Sequence, residues 1–184
     1  MLRRSTVVML VLSACASSEP APRAGSAPAP PQSQSRPPAP WSHSTLARDA
    51  VPSVLLEEWG EAENRATCAP LAPAALGDWD MAVPRAATFS GGWAVAWDLP
   101  EARSAFGIAG TGVSASEPAY ADWPYRIDWS DGSSAGYGLE GGDGEKWLAY
   151  LRVHGQDCLY NVWSHVGREH LESLLSELRY VSAG

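Results

Sequence analysis

From Trp93 onward the apolar positions fall on every second residue. In "WAVAWDL", Trp93, Val95 and Trp97 point one way and Ala94 and Ala96 the other. That pattern predicts a strand with one bulky and one small face. "SAFGIAG", residues 104–110, follows as its partner after a turn at Pro100 to Arg103. The period of two returns in "YRIDWS", "SAGYGLE", "KWLAYLRVH" and "CLYNVWS". Between these runs stand Asp131-Gly132, then Gly141-Gly142-Asp143-Gly144, then Gly155. Such residues tolerate the positive φ of hairpin turns, so four strands joined by three tight turns predict an antiparallel meander.

Two stretches follow a helical period instead. In "PSVLLEEWGEAENRAT", Ser53 is an N-cap candidate, and Leu55, Trp59, Ala62 and Ala66 recur on one face. Pro70 and Pro73 end that helix. In "REHLESLLSELRYV", Leu171, Leu174, Leu175 and Leu178 sit at i, i+3, i+4 and i+7. Residues 71–90 carry prolines and Gly77 and read as an irregular loop. The predicted fold class is α+β: an antiparallel sheet of about six strands with an N-terminal and a C-terminal helix covering one face.

The N-terminal pattern is of another kind. "MLRRSTVVMLVLSAC" opens with Arg3 and Arg4, and a short apolar run from Thr6 to Leu12 follows. That run is far below the ~20 residues that cross a bilayer as a helix. It reads as an export signal covering residues 1–14. The order Leu12, Ser13, Ala14, Cys15 resembles the lipobox of bacterial lipoproteins. The resemblance implies a diacylglycerol on the Cys15 thiol, cleavage just before it and membrane attachment through lipid. Ala16, rather than Asp, after the cysteine implies the outer membrane. Two or three acyl chains anchor firmly where one holds only marginally.

Residues 16–40, "ASSEPAPRAGSAPAPPQSQSRPPAP", hold eight prolines in 25 positions. No core can form there, so residues 15–43 are expected to be a disordered tether and 44–184 a single globular domain. Fully extended, the tether reaches about 78 Å at ~3.1 Å per residue. All nine tryptophans lie from Trp41 onward. Nine Lys and Arg against twenty Asp and Glu over 41–184 give that part a charge near −11. This argues against nucleic-acid binding and against lying flat on anionic lipid.

With Cys15 set aside, Cys68 and Cys158 remain. In an exported chain an even pair predicts a disulfide. Cys68 stands in "RATCAPLAP", unlike the "DCSG"-type context of envelope Cys/His peptidases.

Candidate chemistry is sparse. "GSSAG", Gly132 to Gly136, fits the G-x-S-x-G nucleophile pattern around Ser134, with Asp143 or Asp157 and then His165 or His170 in hydrolase order. The pattern needs a helix after the serine, whereas "YGLEGGDG" is too rich in glycine for one. "HVGREH" lacks the spacing of an H-x-x-E-H metal site, because three residues separate His165 from Glu169. Asp128, Asp131, Glu140, Asp143 and Glu145 lack calcium-loop spacing. Nothing points to a cofactor or a metal. The aromatic residues are more informative. Tyr150 lies opposite in phase to Trp147, and Trp163 opposite to Tyr160. If one sheet face lacks a helix, Tyr150 and Trp163 are candidates for stacking on an envelope glycan or a partner protein. The sequence therefore favours a non-enzymatic, lipid-anchored envelope binding module. A small envelope hydrolase using Ser134 is the alternative.

Overall fold

The computed structural model describes residues 35–88, 91–116, 123–140 and 145–182. The export signal, Cys15, most of the tether and Asp143 lie outside the described residues.

The elements in chain order are β1 (Thr45–Leu46), α1 (Ser53–Glu61), β2 (Leu71–Pro73), β3 (Val83–Ala86), β4 (Trp93–Leu99), β5 (Ala102–Gly110), β6 (Tyr125–Asp128), β7 (Ser134–Leu139), β8 (Trp147–Arg152), β9 (Leu159–Ser164), α2 (Arg168–Glu177) and β10 (Leu178–Val181). The six predicted strands are β4 to β9. The main sheet nevertheless has seven strands, in the order β3-β4-β5-β9-β8-β7-β6, all antiparallel. A second sheet, β1-β10-β2, pairs β1 with β10 in parallel and β10 with β2 antiparallel. The described residues are thus mostly sheet, with ten strands and two α-helices, rather than six strands and two helices.

The extra strands have a common explanation. β2 ends in Pro73 and β3 contains Pro84, and each strand lies at the edge of its sheet. Proline lacks a donor N–H, which only an edge strand tolerates. Residues 71–90 therefore read as loop, although seven of them pair. The predicted C-terminal helix stops at Glu177, and Leu178 turns to extended backbone at φ −64°, ψ 132°. Leu178 stays buried, so the apolar stripe survives the change of structure. The first helix stops at Glu61, short of its expected end. The Asn64 side-chain amide donates to the carbonyls of Gly110 (3.2 Å) and Thr111 (2.7 Å), fixing the turn that follows.

The packed region also begins earlier than residue 44. Ala39 and Trp41 are buried, and Trp41 Nε1 donates to Asp131 Oδ2 at 3.0 Å. The Trp41 ring meets Trp129 edge-on at 5.1 Å. One aromatic side chain with a ready acceptor is enough to fasten the end of a proline-rich segment.

The register gives the main sheet two unlike faces. On the first, Val95, Ile108, Val162, Ala149 and Tyr137 lie in one row across the strands. Leu55 of α1, Leu171, Leu174 and Leu175 of α2, and Leu71 and Val181 of the small sheet join the same buried cluster. Both helices therefore cover this face. Tyr137 Oη fastens α2 to it through Glu172 at 2.8 Å. Cys68 and Cys158 are joined by a disulfide, with a Cα–Cα distance of 5.4 Å. It links the turn after α1 to the start of β9.

Candidate binding site on the helix-free face

The second face is built from small residues with three large rings among them. One row runs Arg85, Ala96, Gly107, Trp163, Leu148, Gly138. The next runs Ala94, Ala109, Asn161, Tyr150, Gly136, Arg126. Trp163 and Tyr150 thus stand on adjacent strands in neighbouring rows. Glycine is required beneath the rings. A Cβ on Gly107 would come within 2.2 Å of the Trp163 ring, and one on Gly138 within 2.6 Å of Trp123. Trp123 in turn packs on Tyr150, with ring centroids 5.7 Å apart.

Trp163 and Tyr150 line a trough of about 370 Å³, within the size range of small-ligand sites. Leu148, Asn161, Ser104, Glu140, Lys146 and His165 complete most of its wall. Asn161 Oδ1 is shielded from solvent, and no donor among the described residues reaches it. A buried acceptor without a donor is uncommon and calls for an explanation. Lys146 pairs with Glu140 where β7 and β8 are connected, so these two charges cancel.

The Trp163 ring is held from behind. Its Nε1 donates to the Ser104 carbonyl at 3.3 Å. Ser104 has φ 52°, the one positive value among the described non-glycine residues. Its amide donates to Asp98 Oδ1 at 2.6 Å, and its hydroxyl accepts from Arg85. Arg85 Nε also donates to Asp98, at 2.9 Å and 3.0 Å to the two carboxylate oxygens. The Ser104 amide first, then Arg85, keeps the Asp98 carboxyl below the usual aspartate range. Left-handed backbone at a non-glycine residue is strained and persists where its surroundings enforce it. Here the enforcing groups also set the acceptor for the Trp163 indole.

The other candidates do not converge. Ser134 opens β7 after the turn at Gly132, with no helix following it. Its neighbour Ser133 is buried, donates its hydroxyl proton to Asp131 and accepts the His154 backbone amide. His165 lines the trough, whereas His170 packs under α2 against Phe106 at 4.7 Å and Trp79 at 5.8 Å. His170 Nδ1 meets the Ser164 hydroxyl at 2.8 Å, and burial pushes the imidazole pKa down, which favours the neutral ring. Asp128 is paired with Arg126 at 2.8 Å, and Asp131 holds Trp41 and Ser133. Among the described residues, no three of His, Cys, Asp and Glu gather as metal ligands.

A larger hollow of about 590 Å³ opens at the start of α2, between Trp79 and Gly167. The free amides of a helix start favour an anion, but Asp78 and Glu169 both line the hollow and oppose one. Its groups agree on no ligand chemistry. Those of the trough do agree, and it was legible in part. The phase of Tyr150 and Trp163 marked the face, but Asn161 was missed. The available signal was a lone amide inside the apolar strand run "CLYNVWS".

Compared with known protein families, with characterised proteins and with solved structures, the chain matches none.

Proposed function

We propose that the chain is an exported, lipid-anchored protein of the bacterial cell envelope, placed at the outer membrane. Its folded domain holds a ligand or partner on the helix-free face without catalysing a reaction. The observation that carries the binding role is the trough itself. Two aromatic rings, Trp163 and Tyr150, and the Asn161 side-chain amide line it together. The anchoring role rests on the order of residues 1–15 and on Cys15. The disulfide is consistent with an oxidising compartment. The hydrolase alternative has less support. Ser134 lies in a hairpin, and among the described residues no histidine nitrogen hydrogen-bonds its hydroxyl, as a general base must.

Cell fractionation tests both halves. The full chain should sediment with membranes and leave them only in detergent. Cys15→Ser should be released as soluble protein. Added back to washed envelope fragments, Cys15→Ser should bind, and Cys15→Ser with Trp163→Ala should bind about tenfold more weakly. Release of the unaltered chain without detergent would sink the anchor. Equal rebinding by the two variants would sink the trough.

A further inference from the structure

We infer that the ligand of the trough is a neutral, β-linked pyranose glycan, an inference that rests on the binding role proposed for this face. Four observations lead there.

The first is the pairing of rings with polar groups. A pyranose with equatorial hydroxyls has two flat C–H faces and a polar edge. Trp163 and Tyr150, side by side on β9 and β8, offer the aromatic surface that such faces cover. A β-linkage keeps successive sugars extended, so that their flat faces can follow one another from Tyr150 to Trp163.

The second is Asn161, which sits beside Tyr150 in the register. Asn161 lines the trough and is its one side-chain amide among the described residues. A side-chain amide accepts and donates, which matches a pair of neighbouring hydroxyls that do the same.

The third is charge. Glu140 and Lys146 neutralise each other at the rim, while the domain as a whole is strongly acidic. A polyanionic glycan meets repulsion, and a cation finds the rim carboxylate already engaged.

The fourth is rigidity. Gly107 beneath the Trp163 ring and the Ser104 carbonyl at its Nε1 fix the ring before any ligand arrives, which lowers the ordering cost of binding.

Other occupants fit less well. β8 and β9 are interior strands whose main chains are already paired on both sides, so a peptide strand finds no edge there. A lipid tail needs long apolar walls, whereas Asn161, Ser104, Glu140, Lys146 and His165 line this one.

The test uses the full, oxidised chain in a sugar-free detergent with ¹⁵N-labelled tryptophan. Cellotetraose and chitotetraose are the neutral probes, and tetragalacturonate is the acidic control. A neutral tetrasaccharide should shift the Trp163 indole N–H saturably and leave that of buried Trp93 in place. Tetragalacturonate should do so much less. Asn161→Ala and Trp163→Phe should each weaken the neutral probe about tenfold, with the Trp93 resonance unchanged as the sign of an intact fold. No saturable shift with either neutral probe, or an equal response to the acidic one, overturns the glycan assignment. The same sample is then mixed with envelope fragments. Protection of Trp163 from oxidation there removes the glycan class alone, and no protection removes the binding role with it.

Discussion

Replacing Cys68 and Cys158 together by serine should lower the stability of the folded domain by about 4 to 5 kcal/mol. The two cysteines are 90 residues apart in sequence, so the bond closes a long loop in the unfolded chain. Both are fully buried, and serine hydroxyls in their place add a desolvation cost. A domain of this size has only about 5 to 15 kcal/mol to lose. The double variant should therefore show a much lower urea midpoint, and the unaltered chain should fall to a similar value in reductant. A midpoint that moves little in both cases would mean that the bond closes no entropically costly loop, and that the packing of α1 on β4 suffices alone.

Gly107→Ala should be strongly damaging for a single added methyl, at about 2 to 3 kcal/mol. The added Cβ would lie 2.6 Å from the Val95 carbonyl oxygen and 2.2 Å from the Trp163 ring. The ring can swing away, but the carbonyl belongs to paired β4 and cannot move without disturbing its neighbours. Thermal unfolding should show the loss of stability. Tryptophan fluorescence should show Trp163 moved to a more polar setting. A variant as stable as the parent, with unchanged emission, would mean that Trp163 does not rest on this glycine.

The same glycine marks where the sequence stops speaking. In "SAFGIAG" the alternation of Phe106 and Ile108 is plain, and it identified β5. What Gly107 is for depends on β5 lying beside β9, a pairing across some fifty residues of chain that no local pattern encodes. The meander β6 to β9 was readable because its glycine turns bring neighbours together in sequence order. β3 and β2 were hidden by prolines that edge positions accept. β10 was hidden because Leu178 satisfies the helical stripe and the strand alike. Trp41 read as tether because proline dominates its surroundings, yet Asp131, ninety residues away, draws it into the fold. For the site, strand phase was enough to set Tyr150 and Trp163 apart from the core. The Ser104 turn and the partnerless Asn161 oxygen emerge only from three-dimensional geometry.

The most direct test of the central claim, that the helix-free face is the binding face, is oxidative footprinting of the full chain with and without isolated envelope. Envelope should lower labelling at Trp163 and Tyr150. Exposed Met81, before β3, and Trp59 on α1 should be labelled as before. Protection centred on Trp59 and α2, with Trp163 and Tyr150 labelled as in the free protein, would contradict it.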